Sequence, residues 1–246
     1  MKILTFLLGF FLFLPNSFAG TIDPNVEDSK YLEYGSSFKH TVKIICYDEK
    51  GESSGSAVII DDNWIITAAH IVKNMKDHHI IIDDKKYNLD SVICHEKYSD
   101  NVFGYYDIAI GHIKETVSMK PYPVLYESND EVGKLVAITG LGLTGNFNTG
   151  VNISDGKKRA GSNYVKKIER GTLVCDASRP SQKITELEYL ICSGDSGGGL
   201  FIDGKLAGIN SSVLGYDDRP DSTYGDESCH TRISMHIPWI KNIIKK

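Results

Sequence analysis

The sequence predicts an all-β protein, a barrel or a sandwich, and three observations predict it. Short β-branched or apolar runs recur along most of the 246 residues. Turn signals such as Asp61-Asp62-Asn63 and Asp203-Gly204 separate them, and many short strands at close turn spacing build closed or layered sheets. Regular strand–helix alternation is missing, which disfavours a doubly wound fold.

The chain opens on a leader. Lys2 supplies a positive start, residues 3–14 are apolar except Thr5 and Gly9, and Ser17-Phe18-Ala19 puts small residues at the −3 and −1 positions of a cleavage site. The run is shorter than the roughly 20 residues a membrane helix requires. Residues 1–19 therefore read as a signal peptide rather than a stable membrane anchor. The mature chain, secreted or periplasmic, starts near Gly20, and residues 20–37 form an N-terminal segment. Strands are expected at 41–46, 56–60, 64–67, 79–82, 89–93 and 108–112, then at 135–139, 171–175, 189–192, 199–202 and 205–210. Pro121 and Pro123 interrupt the pattern and mark a boundary between 38–125 and 126–246. Residues 144–162, rich in Gly, Asn and Lys, read as a long exposed loop. Near the end, Ile237, Ile240 and Ile244 recur at helical spacing from Pro238 onward, which predicts a short amphipathic helix.

Hydrophobic residues make up 41% and charged residues 24%, the balance of a globular chain. The net charge of −5 offers no basic excess for phosphates, which argues against nucleic acid as a partner. Export would place Cys46, Cys94, Cys175, Cys192 and Cys229 in an oxidising compartment. No two form a CxxC, so zinc-ribbon spacing is missing, and an odd count leaves at least one thiol free or joined to another molecule. His78-His79 lacks an HExxH or carboxylate partner and reads as a solvated turn; Lys157-Lys158-Arg159 reads as solvated surface, with proteolytic nicking as the sharper alternative.

Three short motifs carry chemistry. In Gly194-Asp195-Ser196-Gly197-Gly198-Gly199, glycines on both sides let the backbone turn sharply and let a substrate approach. The amides of Gly194 and Ser196 can aim at one oxyanion. Asp195 suits holding the turn better than acting as a base. Taken alone, the motif also fits a glycine-rich hairpin connection. Thr67-Ala68-Ala69-His70 places an imidazole after an apolar strand, where it can shuttle protons near neutral pH; a lone histidine is more often structural. Asp107-Ile108-Ala109-Ile110 begins an apolar strand with a carboxylate, costly to bury unless paired. Orienting the histidine would supply that pair; a strand-initial turn residue is the plainer reading.

Together, in this order, the motifs resemble the trypsin/chymotrypsin family of serine proteases. The likeness runs from about Phe38 to Lys246. It includes Ser54-Gly55-Ser56-Ala57-Val58, the stretch Ile93 to Tyr98, Thr139-Gly140-Leu141-Gly142, Gly208-Ile209-Asn210-Ser211 and Thr231-Arg232-Ile233. The resemblance implies two packed six-stranded antiparallel β-barrels with a short C-terminal helix. His70 and Asp107 would come from the first barrel and Ser196 from the second, acting as a triad. It implies a serine endopeptidase working through an acyl-enzyme with an oxyanion hole at Gly194 and Ser196 and no metal or organic cofactor. Polypeptide substrates and protein inhibitors would be its partners, and the chain would be a monomer. It also implies a Cys192–Cys229 disulfide, with Cys46–Cys94 a second pairing to consider. The primary pocket would have Leu190 and Ile191 at its floor and Ser211 to Val213 as walls, favouring an apolar substrate residue. An acid from the loop holding Asp217, Asp218, Asp221, Asp226 and Glu227 would reverse that preference if it turned inward. The chain departs from the family in lacking the Ile-Val-Gly-Gly start from which an activated N-terminus is cut, so a partner for Asp195 is not assigned.

Two other classes compete. Gly194-x-Ser196-x-Gly198 also satisfies the nucleophile elbow of α/β-hydrolases, which needs its acid and histidine after the serine, with His230 or His236 and Asp217 or Asp226 available. The apolar run after the serine continues as a strand rather than a helix, against that fold. A non-catalytic binding module on a protease fold would be expected to lose a triad residue, and all three are present.

Overall fold

The computed structural model describes residues 20–49, 51–101, 104–177 and 183–245; the leader, residues 1–19, lies outside them. β1 (Thr21–Ile22) precedes α1 (Asp28–Ser36), and β2 (Thr41–Asp48), β3 (Gly51–Asp61) and β4 (Trp64–Thr67) follow. After the one-turn α2 (Ala69–Val72) come β5 (Asp77–Ile82), β6 (Lys85–Cys94) and β7 (Ala109–Ile113). The second half holds β8 (Leu135–Gly140), β9 (Thr144–Asn146), β10 (Gly150–Ile153), β11 (Arg159–Tyr164), β12 (Lys167–Glu169) and β13 (Thr172–Asp176). It ends with β14 (Tyr189–Leu190), β15 (Gly199–Ile202), β16 (Lys205–Leu214), β17 (Glu227–Arg232) and α3 (Ile237–Ile244).

β2 to β7 close a six-stranded barrel in the order β2-β3-β4-β7-β6-β5. Ile44, Val58, Ile66, Ile80 and Ile110, each from a different strand, meet in its core. Burying each side chain stabilises the barrel by about 1.5–3 kcal/mol. The second unit differs from the expected six-stranded barrel. It is a curled seven-stranded sheet, β11-β8-β15-β16-β17-β13-β12, beside a four-stranded sheet, β10-β9-β1-β14. The added edge strand is β12, which pairs with β13 across the turn at Arg170 and Gly171, both at positive φ.

Each expected strand run overlaps a strand of the fold, with Ile108, Gly171, Ile191 and Cys192 falling just outside, and Asp203 and Gly204 form the β15–β16 turn with φ of 48° and 74°. Positive φ at both central residues matches the right-handed twist of a two-residue hairpin. The C-terminal helix forms, with Ile243 rather than Ile244 in the third buried place. It packs into the first barrel's apolar cluster, so the chain's end returns to its beginning.

The exposed loop expected at 144–162 is overturned. That stretch contains β9, β10 and the start of β11, and Phe147 is buried against Ala177 and Leu190. Arg159 is buried as well. Its guanidinium holds Asp28 at 2.6 and 2.7 Å and Asp155 at 2.8 and 3.0 Å, clamping α1 to the second sheet. Lys158 donates to the Phe38 carbonyl at 2.9 Å, so two of the three basic residues expected on the surface are structural. His78 and His79 also lie in a strand, β5, rather than a turn. His79 stacks on Tyr47.

Candidate active site

Ser196 sits in the turn between β14 and β15, and the backbone around it is committed on nearly every side. The amides of Asp195, Gly197 and Gly198 donate to Cys192 O, Asn210 O and Asp195 O at 3.1, 2.8 and 2.8 Å. The Ser196 carbonyl accepts from the Ser56 amide at 2.7 Å, and the Gly194 carbonyl from Ser56 Oγ at 2.9 Å. Among the described residues, the amides of Gly194 and Ser196 donate to no protein group. Gly197 has φ +82°, and a Cβ there would lie 2.0 Å from the Ser56 carbonyl, so only glycine allows this approach of the two units.

Asp107 lies two residues before β7 and is buried. Its Oδ1 accepts the His70 amide at 2.9 Å, and its Oδ2 accepts His70 Nδ1 at 2.8 Å and Ser211 Oγ at 2.6 Å. An ionised carboxylate only accepts, so Nδ1 carries the proton and Nε2 of the neutral ring is left as a base. The Asp107 carbonyl accepts from Thr231 Oγ1 at 2.9 Å, so both units fix this residue. Burial pulls the His70 pKa down, but the hydrogen bond and charge of Asp107, with a smaller contribution from Asp100, leave it above the usual histidine value. Burial pushes Asp107 up, and its bonds from His70 and Ser211 bring it below the usual carboxylate range.

Two clefts meet here. One, about 300 Å³, is lined by Ile191, Cys192, Ser193, Ser196, Ser211, Ser212, Val213 and Pro220. The other is lined by His70, Tyr98, Asp100 and Asp107, and Ser211 and Ser212 form a wall of both. Three of the four expected pocket residues, Ile191, Ser211 and Val213, line the first cleft. Leu190 does not: it is fully buried, pairs with Thr21 of β1 and packs on Phe147 and Ala177 in a separate small core. No acid of the neighbouring loop lines the cleft. Asp226 turns inward to accept the amides of Tyr216 and Thr223, Glu227 pairs with Lys167, and Asp217 pairs with Arg219.

The disulfides are corrected too. All five cysteines are free thiols. Cys229 lies within β17, opposite Val174 and Ser212 and on their side of the sheet. Cys192 lies beyond β14, with Ser222 and the Thr21 backbone as its hydrogen-bond partners. Cys46 and Cys94 are likewise unbridged, opposite Ser53 and Ala109 in different strand pairs. Burial pushes Cys46 and Cys229 up to about 12, which leaves almost no thiolate for exchange.

Several supporting residues escaped the sequence reading. Ser56 was legible only as one of several small residues, Asn210 only as part of a strand, and Tyr189 as an apolar strand residue. Asn210 Nδ2 donates to the carbonyls of Asp195 and Thr139 at 3.1 and 3.0 Å, and its Oδ1 accepts His230 Nδ1 at 2.9 Å. Ser228 Oγ bonds the other ring nitrogen at 3.0 Å, and burial lowers the His230 pKa to about 3. His236 packs against His95 and Tyr106. With both later histidines so engaged, and a strand rather than a helix after Ser196, the nucleophile-elbow reading fails.

The fold and this constellation define a two-unit β serine hydrolase. The family model for trypsin matches residues 34–240, and the chain belongs to that family. It is a serine endopeptidase. It is 27% identical to human chymotrypsin-like elastase family member 1 over 76% of this chain and 79% of that one. It is 26% identical to human kallikrein-8 over 76% and 75%, and 25% identical to serine protease SSP1 of Scolopendra subspinipes over 79% and 74%. Among solved structures, neuropsin of mouse brain superposes with a TM-score of 0.65 at 19% identity, covering 85% of this chain and 96% of that one. HL collagenase does so at 0.70 and 16%, covering 86% and 96%.

Proposed function

We propose that the chain is exported and hydrolyses peptide bonds through an acyl-enzyme on Ser196. The observation that carries this reading is the Asp107 carboxylate holding His70 by ring and backbone at 2.8 and 2.9 Å, beside a turn whose Gly194 and Ser196 amides are uncommitted. His70 Nε2 takes the Ser196 proton as Oγ attacks the scissile carbonyl. The imidazolium so formed is stabilised by Asp107, and the carbonyl oxygen, now an anion, is received by the two free amides. His70 then gives its proton to the leaving amine. A water molecule repeats the sequence to release the acid. The test is an organophosphonate: it is expected to label Ser196 stoichiometrically and to stop peptide turnover. A protein that is labelled nowhere and cleaves no peptide from a diverse library would refute the reading.

The pH profile follows from His70. Its protonated form is inactive, and Asp107 holds its pKa above the usual 6.5. The acid limb of kcat/KM is therefore expected to have its midpoint above pH 6.5, with activity rising as pH rises through it. The pair's contribution to stability has the opposite sign, full below the unfolded value and lost as pH rises through the folded one. A profile flat from pH 6 to 8 would count against His70 as the base.

The primary pocket accepts an apolar residue, small or aliphatic. Ile191, Val213 and Pro220 line it, with serine hydroxyls and no charged side chain. A methylene that fits well or badly is worth about 1–3 kcal/mol, so profiling of a substrate library is expected to give a graded preference for Ala, Val or Leu. A strong preference for Arg or Lys would overturn it.

A further inference from the structure

A third cleft adjoins the nucleophile turn. It holds about 130 Å³ and has Leu141, Leu143 and glycine backbone as its apolar walls. Its polar side chains are Lys43, Ser54, Ser154 and Ser193, and Lys43 is the one charged residue of the lining. Gly194, whose amide is uncommitted, lines it as well. Among the described residues the Lys43 ammonium is in no ion pair, and the hydroxyls of Ser54, Ser154 and Ser193 are in no hydrogen bond to protein.

Lys43 reaches this place from β2. Val42, Ile44 and Cys46 belong to the barrel core, so Lys43, alternating with them, stands on the opposite face of the strand. It pairs with Ser56 of β3, the residue whose amide and hydroxyl hold the Ser196 and Gly194 carbonyls. Ser56 Oγ also accepts the Leu141 amide at 3.0 Å, which fixes a further wall of the cleft. The lysine is half-buried, and no described carboxylate neutralises it. Asp155, between the lining residues Ser154 and Gly156, is committed to Arg159. A cation partly withdrawn from water, without a counter-ion and beside three unengaged hydroxyls, is arranged to receive an anion. The ammonium supplies charge, and the hydroxyls supply hydrogen bonds.

We propose that Lys43, with these serines, binds a substrate carboxylate on the leaving-group side of the scissile bond, and so selects polypeptides that carry an acidic side chain or a free C-terminus just after the cut. This rests on the reading of the chain as an endopeptidase. The direction follows from the walls the clefts share. The primary pocket takes the residue before the scissile bond, and the cleft beside His70 shares Ser211 and Ser212 with it, so both serve the acyl side. The third cleft has no part of Ser211 to Val213 in its lining and shares no residue with the cleft beside His70. It meets the site only through Ser193 and Gly194, where the carbonyl oxygen is received. A chain that runs on past Ser196, away from β16, enters it. An apolar residue before the cut and an anionic one after it would then be read by separate clefts. The nucleophile turn itself is held by Ser56, Asn210 and Tyr189, whose Oη donates to Asp195 at 2.8 Å, and the Lys43 side chain bonds none of them. Lys43 is thus a specificity residue rather than part of the proton relay.

The test uses internally quenched peptides with Val before the cut and Glu, Gln or Lys at the first or the second position after it, all capped as amides. A second set ends at those positions with either a free carboxylate or an amide. kcat/KM is measured for wild type, Lys43→Ala, Lys43→Glu and Lys43→Arg, and the Glu-to-Gln ratio is taken within each protein, where the folded fraction cancels. Binding of the same peptides to Ser196→Ala, with and without Lys43→Ala, is followed by fluorescence anisotropy. Wild type is expected to favour the carboxylate by about tenfold, the lower end of what a hydrogen bond to a charged group contributes. Lys43→Ala should abolish the preference, Lys43→Glu should turn it toward Lys, and Lys43→Arg should keep it. A gain with Glu assigns the cleft to acidic side chains, and a gain with the free carboxylate alone assigns it to chain ends; either supports the site. Equal rates for charged and neutral forms in wild type, or a preference that survives Lys43→Ala, overturn the proposal and leave the endopeptidase reading intact. A wild type that cleaves no peptide, while Ser196→Ala binds the carboxylate form more tightly through Lys43, supports the site and defeats the endopeptidase reading. Neither cleavage nor selective binding overturns both.

Discussion

Replacing Ser196 with alanine is expected to lower kcat by about 10⁵–10⁶-fold, to the level that binding and the amide donors alone sustain. The change removes one oxygen from a turn held by other groups. Ser56, Asn210 and Asp195 keep their bonds to the backbone on either side, all of them independent of Ser196 Oγ. The unfolding temperature should therefore be nearly unchanged while turnover disappears. His70→Ala should lose a similar factor, and the double variant little more, because a nucleophile without its base gains nothing from being present. Active-site titration against total protein separates true residual activity from contaminating wild type. More than a few per cent of wild-type turnover in Ser196→Ala would end the acyl-enzyme mechanism.

Asp107→Asn is expected to cost about 10⁴-fold in kcat. The carboxylate accepts three donors, the His70 amide, His70 Nδ1 and Ser211 Oγ, at 2.9, 2.8 and 2.6 Å. An amide of the same shape has one oxygen, so one of these donors meets an NH2 group. When that donor is Nδ1, the ring answers by moving its proton to Nε2, the atom that has to accept from Ser196. The loss should fall on kcat while KM moves little, since the substrate clefts keep their walls. Stability should fall modestly, because one buried donor is left unpaired, a cost of about 1–3 kcal/mol. An asparagine variant within tenfold of wild type would show that Asp107 serves packing rather than ring orientation.

The three motifs were legible because each carries its own local requirement. Ser196 needs glycines around it, His70 needs small neighbours, and a carboxylate at the head of an apolar strand needs a partner. What remained hidden depended on contacts between distant segments. Leu190 was placed in the pocket because nothing local shows that two residues of β14 pair with Thr21 and Ile22, a pairing that turns Leu190 toward Phe147. Residues 144–162 look soluble by composition, yet one buried arginine shared between Asp28 and Asp155 ties them down. The short helix at 28–36 was hidden in the same way. It has a weakly patterned apolar face and is held mainly by Tyr31, Gly35 and the Arg159 clamp. The cysteines point in a similar direction: spacing along a chain says nothing about which face of a strand a thiol occupies.

The wire from Ser228 through His230 to Asn210 has a consequence for how the enzyme meets acid. It runs behind the residue before the nucleophile, and its only titratable member has a pKa lowered by burial to about 3. His236, packed against the segment that leads into Asp107, is lowered by burial to about 4. These two buried rings therefore stay neutral over the range in which His70 gains its proton. Protonating His70 in mild acid is thus expected to leave the bonds from His230 to Asn210 and Ser228 uncharged and unbroken.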